Sequence, residues 1–124
     1  MSEHGTTHWP IEIRLKKAEK RLEIDFDDGT TVRLSAEYLR VESPSAEVQG
    51  HGGPGQKQLV PGKSQVAIRT VEPVGNYAIR IVFDDGHDTG IYSWAYLREL
   101  GAEHEKRWAN YLRALQAAGM SREK

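Results

Sequence analysis

After a polar start the chain reads Ile11-Glu-Ile-Arg-Leu15, apolar and polar residues alternating with the two-residue period of a half-buried strand. Lys16-Lys-Ala-Glu-Lys20 interrupts the pattern, which resumes at Leu22-Glu-Ile-Asp-Phe26. Asp27-Asp28-Gly29 follows, a tight turn in which glycine supplies the positive φ, and Thr31-Val-Arg-Leu34 returns. Residues 11–34 are thus expected to form three antiparallel strands. Ser35 can accept an orphan backbone N–H of a first helical turn, which predicts a short helix over 36–41. Two more strands are expected at 66–72 and 77–83, joined through 73–76. An Asp84-Asp85-Gly86 turn and a return strand at 89–92 follow. Ser93 then caps a helix with Trp94, Leu97 and Leu100 on one face. The longest helix is predicted at about 103–118, with Trp108, Tyr111, Leu112 and Leu115 as its apolar stripe and Gly119 as its stop.

The pattern occurs twice. Phe26-Asp-Asp-Gly29 matches Phe83-Asp-Asp-Gly86, and Ser35-Ala-Glu-Tyr-Leu-Arg40 matches Ser93-Trp-Ala-Tyr-Leu-Arg98, at offsets of 57 and 58 residues. One reading is a pair of half-domains, neither able to bury its apolar face alone, packed into one core. The other is that such turns and caps are common local solutions. Both give an α+β fold: mostly antiparallel sheets, short helices and one longer C-terminal helix.

Between the two blocks, residues 42–64 hold five glycines and three prolines with few apolar anchors. So long a structureless stretch in a small domain is either functional or mobile. The expected organisation is a flexible start at 1–8, one domain over 9–118 with a mobile loop at 42–64, and a tail at 119–124.

Composition removes several classes. With no cysteine there is no disulfide framework, thiol nucleophile or cysteine-held metal centre. Seventeen basic against 18 acidic residues leave a net charge of −1, without the basic excess of a duplex-DNA binder. No apolar run approaches the roughly 20 residues of a membrane span, and the first ten residues lack the layout of a signal peptide. The expectation is a soluble, cytoplasmic domain with no nucleic-acid or membrane partner.

The chemistry-bearing motifs are incomplete. Gly62-Lys63-Ser64 resembles the end of a phosphate loop, but Lys57 stands where that motif needs its first glycine, and a strand-like pattern follows. His104-Glu105 begins like a zinc-helix motif whose second histidine is here Trp108. No histidine has Asp or Glu two places on, as a non-haem iron site requires. There is no Gly-x-Ser-x-Gly elbow, and the pairs Asp27/Asp28 and Asp84/Asp85 read as solvated turn formers. No catalytic residue is assigned. His51, in Gly50-His-Gly-Gly-Pro-Gly55, and His87, just after the second turn, remain as candidates.

Three segments resemble a known family: Tyr38-Leu-Arg-Val-Glu-Ser-Pro-Ser-Ala-Glu-Val48, Gly50-His51-Gly52, and Phe83-Asp-Asp-Gly-His-Asp-Thr-Gly-Ile-Tyr-Ser-Trp-Ala-Tyr-Leu97. The sequence resembles the γ-butyrobetaine-hydroxylase-like N-terminal domain over about residues 9–118. In bacteria this domain also occurs as a small stand-alone protein of unknown function. In carnitine-synthesis hydroxylases it precedes an iron- and 2-oxoglutarate-dependent oxygenase domain and holds zinc through three cysteines and a histidine. The resemblance places Ser43, Ser45 and Val48 at the thiolate positions and His87 at the histidine, so this sequence argues against the zinc. A fusion to an iron–sulfur carrier ATPase in chloroplasts implies an accessory role for some relatives.

The expected function is therefore a non-enzymatic accessory module that docks to an unknown protein partner or forms a homodimer. The Gly/Pro-rich loop, Trp9, Trp94 and the outer face of the last helix are its candidate surface. No cofactor is expected. The alternative is an accessory protein of iron or iron–sulfur metabolism that binds metal weakly through His51 and His87, with carboxylates such as Asp85 or Asp88.

Overall fold

The computed structural model describes residues 8–45 and 59–123. The first block forms β1 (Pro10–Lys16), β2 (Arg21–Phe26) and β3 (Thr31–Ser35), an antiparallel meander in the order β1-β2-β3. It runs directly into α1 (Ala36–Val41). The second block repeats this plan with β4 (Ile68–Val74), β5 (Ala78–Phe83) and β6 (Ile91–Ser93), in the order β4-β5-β6, followed by α2 (Trp94–Ala102). A third helix, α3 (His104–Ala117), follows α2 after one residue. The fold is α+β, as the residue pattern predicts.

Local chemistry explains the repeat. Gly29 and Gly86 sit at φ of +88° and +94° in the two Asp-Asp-Gly turns, a region that side chains with a Cβ avoid. The hydroxyls of Ser35 and Ser93 accept from the N–H groups of Tyr38 and Tyr96, each at 3.0 Å. Gly119, at φ +69°, ends α3: its N–H reaches Gln116 O at 3.1 Å and that of Met120 reaches Leu115 O at 2.9 Å, a paired closure of the last carbonyls.

The return strand expected at 89–92 forms at Ile91–Ser93, and two further details differ from expectation. β4 begins at Ile68 and runs through Pro73 to Val74, leaving the turn to 75–77; an edge strand tolerates proline because one side of its ladder is unpaired. In α3, Tyr111 and Leu115 are buried while Leu112 is 40% exposed, so the inner stripe runs through Trp108, Tyr111 and Leu115 without Leu112.

Side chains from both meanders and from α1 and α2 merge into one cluster, with Leu22, Ile24, Phe26 and Leu34 from one block and Ile81, Phe83, Leu97 and Leu100 from the other. The halves are also joined by polar contacts that obey the repeat. Tyr38 donates to Leu100 O at 2.7 Å, and Tyr96, its counterpart, donates to Glu42 O at 2.5 Å; Glu42 is in turn the counterpart of Leu100. Burial pushes the Tyr96 phenol up to about 12, and that of Tyr38 upward too, so both remain donors. Arg98 grips Asp28 with two hydrogen bonds, at 2.9 and 3.1 Å, and Arg40 reaches Asp85, the counterpart of Asp28, at 2.8 Å. Each half's helix thus holds the other half's turn.

A third reciprocal contact is steric. A Cβ on Gly101 would lie 2.7 Å from Val32 Cγ1, and one on Gly90 would lie 2.5 Å from Ser43 Oγ. Val32 and Gly90 each stand three residues before a capping serine, and Ser43 and Gly101 each stand eight residues after one. Both joints are closed by a glycine against a larger partner, with the glycine on opposite sides.

Alanine in place of glycine inside a helix ordinarily stabilises by about 1 kcal/mol, yet Gly101→Ala should destabilise by about 1–3 kcal/mol through overpacking. In urea denaturation, adding Val32→Ala should recover part of that loss, so the double variant is more stable than the two single losses predict. A stabilising Gly101→Ala would contradict the joint. Acid should act through Asp28 in the first turn and Asp25 in β2. The Arg98 guanidinium holds Asp28 well below the usual carboxylate range, and Arg14, then Thr31, hold Asp25 at about 2. Both folded values lie below the unfolded value of about 3.9. Their stabilisation is therefore present above about pH 4 and lost as pH falls towards about 2. A melting temperature that is flat from pH 5 to pH 2 would refute this.

Candidate functional site

Polar side chains in a protein interior need partners, which makes the joint beside Gly90 chemically distinct. Ser43 is fully buried, Ser45 is 8% exposed and His87 is 6% exposed. The Ser43 hydroxyl lies 2.9 Å from His87 Nε2 and the Ser45 hydroxyl 3.4 Å from the same atom. Ser45 N–H also donates to Ser43 Oγ at 3.3 Å. These are three of the four residues the family resemblance sets at ligand positions, and the fold brings them to one point from segments more than 40 residues apart.

Each is held by its own backbone. Ser43 and Ser45 follow the end of α1, where Ser43 N–H reaches Arg40 O at 3.4 Å. His87 sits just past the second Asp-Asp-Gly turn. Its carbonyl accepts from Phe83 N–H at 3.0 Å, and its N–H donates to Asp85 Oδ1 at 3.0 Å. The imidazole lies against the Phe83 ring, with centroids 6.0 Å apart. Asp85 is the hub beneath it: Oδ2 accepts from Lys63 Nζ at 2.6 Å and from Arg40 Nε at 2.8 Å. Burial alone would raise this carboxyl, but hydrogen bonds from Lys63, from His87 N–H and from Arg40 outweigh it and hold it at about 2. Arg40 Nη1 is buried with no hydrogen-bond partner among the described residues, whereas Arg98 in the other half uses both terminal nitrogens on Asp28.

The matching position in the first half measures what is special here. Thr30 stands where His87 does: its N–H donates to Asp28 Oδ1 at 3.1 Å, and its carbonyl accepts from Phe26 N–H at 2.8 Å. Facing it are Gly101 and Val32, which carry no polar side-chain atom. The polar cluster is therefore an addition to one of two equivalent joints.

Metal chemistry can be tested against these donors. A closed zinc site takes thiolate, imidazole or carboxylate ligands. Ser43 and Ser45 offer neutral hydroxyls, and Val48 lies outside the described residues. Asp85 is taken up by Arg40 and Lys63, while Asp88 is 49% exposed and 3.5 Å from Arg80. This donor set does not fit zinc. Among the described residues one group of three metal-type side chains converges, His8 with Asp27 and Asp28, and it includes neither candidate histidine. Its Asp28 is already occupied by Arg98.

The other sequence candidates separate. His51 lies outside the described residues. Trp9 is 45% exposed, and its carbonyl accepts from Asp27 N–H at 2.9 Å. Trp94, expected on a docking surface, is instead 6% exposed with its indole N–H on Asn76 O at 3.0 Å; as the first residue of α2 it is pulled into the core. Gly62 and Ser64 spend their N–H groups on Ser121 O and Arg122 O, at 2.9 and 3.0 Å, which leaves no amide cradle for a phosphate. Arg122 in turn grips buried Glu37 with two hydrogen bonds of 2.8 Å, so the residues after α3 are pinned to α1. His104 stacks on Trp108 and meets Tyr38 edge-on. The Asp-Asp-Gly turns, expected to be merely solvated, prove to be the anchors of the inter-half contacts. The signal was present in the sequence: every Asp-Asp-Gly turn has a Tyr-Leu-Arg segment to match.

A cleft of about 380 Å³ also opens between α1, residues 59–60 and α3, lined by Val41, Glu42, Val60, Arg107 and Tyr111. Arg107 is committed there to Glu42, Glu99 and Glu103. No helix among the described residues is long and apolar enough to cross a membrane.

Comparison with known proteins agrees with this picture. No curated protein matches the chain. Two proteins solved by NMR in solution are similar to it. One is 47% identical with a TM-score of 0.81, covering 95% of this chain and 92% of that one. The other is 48% identical with a TM-score of 0.82, covering 98% and 90%. A crystallised protein of unknown function from Acidithiobacillus ferrooxidans ATCC 23270, assigned to the DUF971 family, is 46% identical with a TM-score of 0.64, covering 76% of this chain and 93% of its own. The family described as gamma-butyrobetaine hydroxylase-like, N-terminal, matches residues 13–98. The two helix-capping serines, Ser35 and Ser93, and the joint at His87 fall within that match, and the chain belongs to the γ-butyrobetaine hydroxylase-like N-terminal family.

Proposed function

We propose that this domain is a non-enzymatic accessory module that works by docking to a partner protein. The observation that carries this reading is the apolar end of β1: Trp9 is 45% exposed and Ile11 is 70% exposed. Farther along the same strand Ile13 and Leu15 pack against the core. The apolar character of β1 thus continues past the edge of the core it serves. Pro10 and the register shift between Pro10 and Glu12 interrupt the strand's pairing there, and such features discourage addition of a further strand. The contact is therefore made by side chains.

The chemistry of the buried joint supports the same reading from the other side. Its histidine faces two hydroxyls in a buried setting, and its nearest carboxylate is neutralised by Arg40 and Lys63. The resemblance to a domain that precedes an oxygenase domain in fused enzymes also favours a protein-facing surface.

The test is light scattering combined with affinity capture from the native organism, using the wild type and a Trp9→Ser/Ile11→Ser double variant. The wild type is expected to dimerise or to retain a defined partner, and the variant to lose that association at least tenfold while keeping its melting temperature within a few degrees. A wild type that stays monomeric and retains nothing would refute the docking role; equal retention by the variant would refute the surface.

A further inference from the structure

We infer that the exposed Trp9–Ile11 patch takes a basic segment of another protein, an apolar side chain flanked by lysine or arginine, and not a second copy of this chain. The inference rests on the docking role proposed above and names the partner's chemistry.

The internal repeat shows that the local structure does not require these two residues. Pro10 pairs with Phe26 and Ile68 with Phe83, and in both ladders the register shifts directly afterwards. Trp9 O accepts from Asp27 N–H at 2.9 Å, and Ala67 O accepts from Asp84 N–H at the same distance. Ala67 and Arg69 are therefore the counterparts of Trp9 and Ile11. The second half makes this irregularity with a small residue and an exposed cation, an ordinary choice for an edge strand facing water. The first half makes it with a tryptophan 45% exposed and an isoleucine 70% exposed. Neither large side chain is needed for the backbone path, and the core leaves both largely in solvent. An apolar pair kept at such a place marks a contact surface.

The surrounding charge selects the partner. Glu12 follows Ile11, Asp25 stands opposite Glu12 in the ladder, and Asp27 and Asp28 form the turn bonded to Trp9. The cations bonded to these four carboxylates are already shared out. Arg14 serves Asp25 at 2.8 Å and both Glu12 and Glu23 at 3.2 Å, and Arg98 holds Asp28 at 2.9 Å. Asp27 faces His8 at 3.4 Å, whereas its counterpart Asp84 spends an oxygen on the Ala67 N–H at 3.0 Å. Glu12 and Asp27 are the most exposed of the four, at 60% and 42%. The surplus negative charge thus lies on the two carboxylates that flank the apolar pair. An apolar contact here brings them close to the partner, where lysine or arginine is attracted and an acidic rim is repelled. A second copy packed about a two-fold axis would bring the same patch and the same carboxylates face to face.

The experiment measures fluorescence polarisation of three labelled synthetic peptides of equal length, built from leucine and lysine, leucine and glutamate, or serine and lysine. At about 50 mM salt the wild type should bind the leucine–lysine peptide at least tenfold more tightly than either of the others. Trp9→Ser/Ile11→Ser and Glu12→Gln/Asp27→Asn should each weaken that binding at least fivefold, with melting temperatures within a few degrees of wild type. Near 1 M salt, where charges are screened beyond about 3 Å, wild type and the charge variant should bind alike. Equal binding of the leucine–glutamate peptide, or a charge variant that binds like wild type at low salt, overturns the basic partner. The docking role survives that result if the Trp9→Ser/Ile11→Ser variant still loses binding. Wild-type dimerisation that this variant abolishes also overturns the inference, since the occupant is then a second copy, and again leaves docking intact. A leucine–lysine peptide that no form binds overturns the inference alone; one that the Trp9→Ser/Ile11→Ser variant binds like wild type removes the surface itself.

Discussion

The fold depends on a reciprocal hydrogen bond. Tyr38 reaches a carbonyl at the end of the helix in the opposite half, and Tyr96 returns the same contact to a carbonyl just past α1. A helix end leaves carbonyls without internal partners, and in a core these would be expensive to strand. Each half therefore completes the other. A three-stranded meander with a one-and-a-half-turn helix is too small to bury its apolar face alone. Two such units sharing one core reach the size of an ordinary domain. The guanidinium–carboxylate contacts and the two glycine joints repeat the same exchange of parts at the periphery.

Where two halves obey one plan, departures from it are informative. The joint at His87 differs in kind, since His87 and Ser43 stand where the other half has Thr30 and Gly101. Buried polar groups need partners, and here both hydroxyls lie within reach of one ring nitrogen, Nε2 of His87. The neighbouring Asp85 network closes the turn from beneath, and Lys63 enters it from a segment whose backbone is tied to residues 121–122. Elements far apart in sequence, the end of α1, the second turn and the residues after α3, are linked through contiguous polar contacts.

Much of this was legible in the residues. Alternation over 11–34 gave three strands, and Ser35 and Ser93 marked the helix starts because a hydroxyl before an apolar run has one obvious task. The duplicated Phe-Asp-Asp-Gly and Tyr-Leu-Arg segments marked the repeat. What a linear reading could not supply was the exchange between halves. Asp28 and Asp85 look like solvated turn residues until the opposing arginines arrive across the core. Trp94 looked available for docking because its place at a helix start is compatible with either exposure or burial; only the approach of Asn76 O to its indole N–H decides. Leu112 fitted a helical period yet faces outward, since the period allows a wider stripe than α3 buries. The meeting of Ser43, Ser45 and His87 followed from family resemblance and not from spacing, and the geometry agrees with it.

The central claim is that two equivalent half-domains hold each other through exchanged tyrosine contacts. Urea denaturation of Tyr38→Phe, Tyr96→Phe and the double variant tests it most directly. Each single change should lower stability by about 1–2 kcal/mol, the range for removing a hydroxyl from a buried carbonyl, while unfolding remains one cooperative transition. If both variants unfold at the wild-type midpoint, or if any of them melts in two steps, the halves do not depend on this exchange.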